Sequence, residues 1–487
     1  MLFSIGATED AASGRAARPG GTGLFRQTLL VAQKLVLIVI DGLTPAMLER
    51  AVERGTAPAL AFLAEQGSYR RAVTTFPSLT PVCLSSLATG AHPDVHRIPH
   101  LVWYHEREQR LVEYGSSFRA VRAAGTARSI RDAIFNMNAE HLSPDALTVF
   151  EALDDAGRVT AAVNMVCYRG RTKHTATLPG LTRTVYGPRR FFYFNVFESD
   201  VTGAPIAVRT RSGGSVDSYA ASVGRWLVTR DGFDFFVYYL PDYDYASHAQ
   251  GPEGADAALT RTDRAVAALL DAAGGADEFL ERYSVLVCSD HGQTKVDRGV
   301  RLESAFDGFS LFRPGRGPAE LAVTASNRAA MVYRLAGCGV ETDQLAKRLE
   351  PEESVEVVLY RDGDEAVARR AGEELRFVKT DGGFATRGDE SLLPYPDALE
   401  RSWAALQNPN AGDLIVSASP GFEFADLGGG HHAGGGSHGS LEVGDSEVPM
   451  LAVGVEPPSA IVEVAATVLR HFGVEPPASM RDAAHAA

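Results

Sequence analysis

Lys34-Leu-Val-Leu-Ile-Val-Ile-Asp-Gly42 is the stretch that decides the fold. From Leu35 to Ile40 every residue is apolar and most are β-branched. A strand with one wet face would alternate apolar and polar residues, so this run reads as a central parallel strand covered on both faces. The pattern recurs twice. Asp234-Phe-Phe-Val-Tyr-Tyr-Leu240 runs into Pro241-Asp-Tyr-Asp-Tyr-Ala-Ser-His248, and Tyr283-Ser-Val-Leu-Val-Cys288 runs into Ser289-Asp-His-Gly292. Helical stretches separate the strands: one starting at Thr44-Pro45, then 58–66, 145–156, 215–229 and 255–273. Strands alternating with helices predict an α/β fold, a three-layer α/β/α sandwich with a mostly parallel central sheet.

With 487 residues the chain can bury a large core. The expected organisation is a disordered N-terminal segment (1–33), a main α/β domain (34–301 and 412–475), an inserted α+β lid or subdomain (302–411) and a tail (476–487). Residues 413–417 are expected to return to the main sheet. The formal charge of −14 argues against a nucleic-acid or anionic membrane surface, since either needs a basic face. Four scattered cysteines without CxxC spacing suit reduced thiols. No signal peptide or membrane-spanning run is evident, so a cytoplasmic location is the expectation.

The three strand ends carry the chemistry. Asp41 follows the first, Asp244 and His248 the second, Asp290 and His291 the third; His438 comes from the glycine-rich loop 428–439. Ligands bind at the carboxyl edge of such sheets, so these groups can converge. Three carboxylates and three imidazoles suit divalent metal ions: Zn²⁺ first, Mn²⁺ or Fe as alternatives. Six ligands are too many for one tetrahedral ion and suit two, the usual clamp, roughly 4 Å apart, for in-line displacement at phosphorus. Within Phe76-Pro-Ser-Leu-Thr-Pro-Val-Cys-Leu-Ser-Ser-Leu-Ala-Thr-Gly90, Thr80-Pro81 reads as a helix start, with Thr80 as N-cap and Gly90 closing the helix. A hydroxyl there sits at the positive end of the helix dipole. The aromatic run Phe191–Phe194 with Phe197 reads as core, or as a wall of the substrate pocket.

In these motifs the sequence resembles the type I phosphodiesterases and nucleotide pyrophosphatases of the alkaline phosphatase superfamily. The resemblance covers residues 34–300 and 412–475. It implies an alkaline phosphatase-like fold and a metal-dependent hydrolase of small phosphate esters, most readily diesters. It implies Thr80 as the nucleophile, passing through a phosphothreonine. One ion would be held by Asp41, Asp290, His291 and Thr80, the second by Asp244, His248 and His438. A phosphomonoesterase or phosphonate hydrolase is the alternative, and a metal- and phosphate-binding protein without catalysis a remote one. Thr75-Phe76-Pro77 copies the family's literal motif but lies too far ahead of Gly90. Asp242 lacks the four-residue spacing to His248, His431 and His432 are weaker loop candidates, and Pro93 breaks the pairing of His92 with His96. Where the family reads Thr-Phe-Pro-Asn, this chain has Thr80-Pro81-Val82-Cys83, so two donors to a phosphate oxygen are lost or replaced. Cys83 and Tyr245 are the residues expected to touch substrate.

Overall fold

The run at 34–40 is the strand Lys34–Ile40, flanked in parallel by Phe235–Leu240 and Tyr283–Cys288. The computed structural model describes residues 33–177, 183–206 and 214–480. The expectations for a disordered segment at 1–33 and for a tail at 476–487 fall largely outside the described residues. Ile40 pairs with Leu240 and Val39 with Cys288, so the three strands finish nearly level. That register sets Asp41 beside Pro241 and Asp290.

These strands are the middle of an eight-stranded sheet in the order Ser68–Val73, Glu447–Val453, Tyr283–Cys288, Lys34–Ile40, Phe235–Leu240, Thr160–Val163, Arg190–Tyr193, Phe197–Ser199. Glu447–Val453 runs antiparallel to both neighbours, as does Phe197–Ser199 to Arg190–Tyr193. Side chains alternate between faces along a strand. Val36, Ile38 and Ile40 pack with Leu48, Leu60, Val223, Val266 and Leu269 of the helices on one side. Leu35, Leu37 and Val39 turn the other way and are equally buried. There Phe150, from the helix Val149–Asp155, meets Phe235, the register partner of Leu35. Both faces are covered, as the unbroken apolar runs require. Each such side chain contributes about 1.5–3 kcal/mol by burial.

A second, seven-stranded antiparallel sheet occupies residues 321–418. Its order is Leu321–Ser326, Ala329–Arg334, Leu414–Ala418, Val355–Asp362, Glu365–Arg370, Glu373–Thr380, Gly383–Arg387. Here the expected return to the main sheet is corrected. Leu414–Ala418 pairs with Ala329–Arg334 and Val355–Asp362, in the middle of the second sheet. The helix Thr342–Leu349 covers one face and Ala398–Gln407 the other. The second face shares its core with Phe76, Trp103 and Val112, so the inserted segment packs into the rest of the chain.

The aromatic run divides by position. Phe191, Phe192 and Phe197 are core, whereas Tyr193 and Phe194 line a cavity. Among the described residues, no helix is long and apolar enough to cross a membrane.

Candidate active site

Asp41 leaves its strand buried, and its backbone N–H donates to Leu240 O at 3.1 Å. Gly42 then turns at φ +69°, and a Cβ there would lie 2.8 Å from Asp244 Oδ1. Only glycine fits that combination of left-handed backbone and close approach. Its N–H donates to Asp290 Oδ1 at 3.3 Å, and Leu43 N–H donates to Ser289 Oγ at 2.9 Å, tying the first strand end to the third.

Asp244 and His248 sit one turn apart on the helix Asp242–Gln250, with His248 Nε2 3.3 Å from Asp244 Oδ2. His248 Nδ1 meets Gly436 O at 2.8 Å, and His438 Nδ1 meets Ser78 O at 2.7 Å. Backbone carbonyls thus accept from Nδ1–H and leave Nε2 of each ring for a ligand. His291 lies at the centre. Its Nε2 is 3.3 Å from Asp41 Oδ1, 3.5 Å from Asp290 Oδ2 and 3.0 Å from Thr80 Oγ1, and its ring stacks on His438 at 3.6 Å. The six residues expected to converge do converge.

Two groups of donor atoms lie within 4.8 Å of one another: Asp41, Asp290 and His291, and Asp244, His291 and His438. Burial, with Asp290 and Asp244 nearby, holds the Asp41 carboxyl well above the usual carboxylate range. Burial likewise raises Asp290. Burial also works on Asp244, but His248, His438 and His291 outweigh it and keep its carboxyl low. Three carboxylates this close stay ionised in a buried site only with cations between them. Asp41 Oδ1 and Asp290 Oδ2, buried without a hydrogen-bond partner, are free to be ligands. The donor set fits divalent metal ions.

Thr80 opens the helix Thr80–Thr89, but the N-cap is Leu79, whose carbonyl accepts from Val82 N–H and Cys83 N–H at 2.9 Å each. The expectation of Thr80 as the cap is therefore corrected. Its hydroxyl makes no capping bond, and this leaves it directed at His291. Gly90 closes the helix at φ +60° as expected. Thr80 lines a cavity of about 540 Å³ together with Asp41, Asp244, His248 and His438. Leu101, Met137, Val166, Tyr193 and Phe194 supply its apolar wall, and Tyr245, 58% exposed, stands at its rim. Among the described residues, no lysine or arginine lines it. Cys83, on the buried side of the same helix, has Thr74 Oγ1 at 3.3 Å from its sulfur and is not part of the cavity wall. Burial also raises its thiol far above the usual range.

The rejected candidates have other work. Asp242 accepts from Val216 N–H at 3.2 Å and Asp217 N–H at 3.1 Å, at the start of the helix Val216–Thr229. Phe76 is core. His96 is buried with its Nε2 3.1 Å from Ser86 Oγ. His431 packs on Gly299, away from the cavity. His432 does line it, its ring 4.0 Å from that of His248 and its Nδ1 3.1 Å from the buried Glu423.

Residues not anticipated from the sequence complete the surroundings. Tyr239 Oη donates to Asp41 Oδ2, and Gln293 Nε2 donates to Asp244 Oδ1 at 2.5 Å. Asn327 Nδ2 lies 3.0 Å from His438 Nε2. Gln293, two residues past His291, was within reach of a reading that followed the motif onward. Tyr239 is hidden in an apolar run, and nothing around Asn327 marks it.

The sequence profile of the family described as "Type I phosphodiesterase / nucleotide pyrophosphatase" matches residues 35–441. No curated protein sequence matches the chain. Among solved structures, phosphonoacetate hydrolase from Sinorhizobium meliloti 1021, in complex with phosphonoformate, is similar at 18% identity and a TM-score of 0.57, covering 91% of this chain and 96% of that one. Murine ectonucleotide pyrophosphatase/phosphodiesterase 5 is similar at 12% identity and a TM-score of 0.58, with the same coverage. An inactive threonine-to-alanine form of that murine protein, in complex with AMP, gives the same values. At such identities the likeness is one of fold. The profile match spans most of the sequence, and the chain belongs to the type I phosphodiesterase/nucleotide pyrophosphatase family, metal-dependent hydrolases of phosphoric esters.

Proposed function

We propose that this hydrolase cleaves phosphodiesters with Thr80 as its nucleophile. The observation that carries the reading is Thr80 Oγ1, free of any capping bond, 3.0 Å from His291 Nε2 at the wall of the cavity. Asp41, Asp290, His291 and Thr80 would hold one ion, and Asp244, His248 and His438 the other. Zinc suits this mixture of imidazole and carboxylate best. Bound divalent ions supply Lewis-acid chemistry, neutralising phosphoryl oxygens and easing deprotonation of a hydroxyl. Thr80 Oγ1 attacks phosphorus in line. Its proton passes to water, its bond to phosphorus forms as the ester bond to the leaving group breaks, and the departing oxygen takes a proton back from water. Water then hydrolyses the phosphothreonine, and the Thr80 hydroxyl is restored.

The cavity wall favours a diester over a monoester or a carboxylated phosphonate. A diester carries one negative charge, which the ion site meets. A second anionic group would face aromatic and aliphatic side chains with no cationic partner among the described residues. Tyr193, Phe194 and Tyr245 suit an aromatic or apolar substituent. Rates on bis-p-nitrophenyl phosphate, p-nitrophenyl phosphate, a nucleotide ester and phosphonoacetate, measured side by side, test this. The reading expects a diester to be fastest, and a tenfold advantage for p-nitrophenyl phosphate or phosphonoacetate would overturn it. The four unpaired cysteines, three of them buried, support a reducing compartment such as the cytoplasm.

A further inference from the structure

The second sheet reaches the active site at one point. Strands Leu321–Ser326 and Ala329–Arg334 are joined by Asn327 and Arg328 alone, since Ser326 pairs with Ala329. Asn327 sits at this tip with φ +57° and is 6% exposed. Asparagine is among the few residues with a side chain that enter the left-handed region readily, and such strain collects at functional sites.

The tip is held from several directions. Asn327 O accepts from Phe424 N–H, and His438 O accepts from Arg328 N–H, each at 2.7 Å. The Arg328 guanidinium is buried, with Asp445 at 3.0 Å and Ser419 O at 3.1 Å. Gly439 lies so close that a Cβ there would come within 3.2 Å of Arg328 N and Ala329 N. The hairpin tip and the loop bearing His438 therefore form one rigid piece.

The amide is oriented as well as placed. Ser326 Oγ donates to Asn327 Oδ1 at 2.9 Å, which turns Nδ2 toward His438 Nε2 at 3.0 Å and into the cavity. His438 Nδ1–H donates to Ser78 O, so Nε2 holds the lone pair, and Asn327 Nδ2 is the donor to it. That lone pair is the one offered to a metal ion, so the amide hydrogens are free to serve another acceptor once it is taken. The helix behind Thr80 offers little competition. Pro81 has no N–H, and those of Val82 and Cys83 are committed to Leu79 O.

We propose that Asn327 is a catalytic residue that donates a hydrogen bond to a non-bridging phosphoryl oxygen during displacement. The role rests on the phosphodiesterase reading above. A fixed neutral donor aimed where charge develops needs no reorganisation during the reaction, and loss of one such donor typically costs about 10²–10³ in kcat.

The test uses Asn327→Gly, which accepts the left-handed backbone while deleting the amide, and Asn327→Asp, which turns the donor into a repelling acceptor. Three quantities are compared with the native protein: metal content, kcat and KM on bis-p-nitrophenyl phosphate, and calorimetric binding of orthovanadate, which imitates five-coordinate phosphorus. The Gly variant is expected to keep both ions and a KM within about threefold, and to lose about 10²-fold in kcat and in vanadate affinity. The Asp variant is expected to lose more of both. Native-like kcat and vanadate affinity in the Gly variant would overturn the proposal, and so would loss of an ion, which would make Asn327 a ligand. If the native protein hydrolyses no diester, the functional reading fails, while the vanadate comparison still decides the role of Asn327.

Discussion

Thr80 Oγ1 faces His291 at 3.0 Å while Leu79, not Thr80, caps the helix behind it. Thr80→Ala therefore removes the proposed nucleophile without removing a cap. The variant is expected to retain both metal ions and to lose at least about 10³-fold in kcat on a diester, checked by metal analysis beside steady-state rates. Gly42 combines a left-handed backbone with a close approach to Asp244. An alanine there would be strained at φ +69° and would meet Asp244 Oδ1 at 2.8 Å. Gly42→Ala should lower metal content and activity together, and a fully metal-loaded, active variant would show that the contact is easily relieved. The candidate ligands were legible because Asp41, Asp290 and His291 follow strongly marked strands, Asp244 and His248 keep the four-residue spacing of one helix face, and His438 stands in a conspicuous glycine-rich loop. Asn327 was not, because its importance comes from a tertiary meeting with His438, 111 residues away in sequence.

At the scale of elements, Asp242 and Asp244 share one helix and do different jobs. Asp242 receives the first N–H groups of the helix Val216–Thr229. Asp242→Ala should cost about 1 kcal/mol of stability, seen as a drop in Tm, and leave the metal content unchanged. Loss of metal in this variant would put Asp242 among the ligands after all. The hairpin Val102–His105 and Arg110–Glu113 ends in a second titrating feature. Burial pushes the Glu113 carboxyl up to about 7, although Gly115 N–H and Ser116 N–H donate to it at 2.8 and 2.6 Å. Because the folded value is raised above the ordinary 4.5, its contribution to stability is complete below 4.5 and is lost as pH rises through 7. Relative to the native protein, Glu113→Gln should gain in Tm between pH 5 and pH 8; a constant difference would contradict this. Continuous apolar runs such as Leu35–Ile40 announce a doubly covered strand because each residue must be dry. Leu414–Ala418 carries the same signal, but apolarity says only that a strand is buried, not which sheet buries it, and it joins the second.

Across the whole molecule, two sheets meet at the candidate metal centre: the carboxyl edge of the main sheet brings Asp41, Asp244, His248, Asp290 and His291, and the second sheet brings Asn327. The overall charge of −14 offers anionic substrates no general attraction, so binding depends on positive charge held locally. Removing metal with a chelator should abolish turnover and lower Tm, since ions bound at 100 times their Kd stabilise by about 2.7 kcal/mol. Readdition of Zn²⁺ should restore both, and a chelated protein with unchanged Tm would mean that the buried carboxylates do not depend on cations. In the proposed reaction phosphorus passes through Thr80. Its most direct test is acid quenching of the metal-loaded protein within one turnover of a diester, followed by peptide mapping by mass spectrometry. A phosphoryl group is expected on the peptide containing Thr80 and none in Thr80→Ala. An unmodified Thr80 peptide, or label on another residue while turnover proceeds, would contradict it.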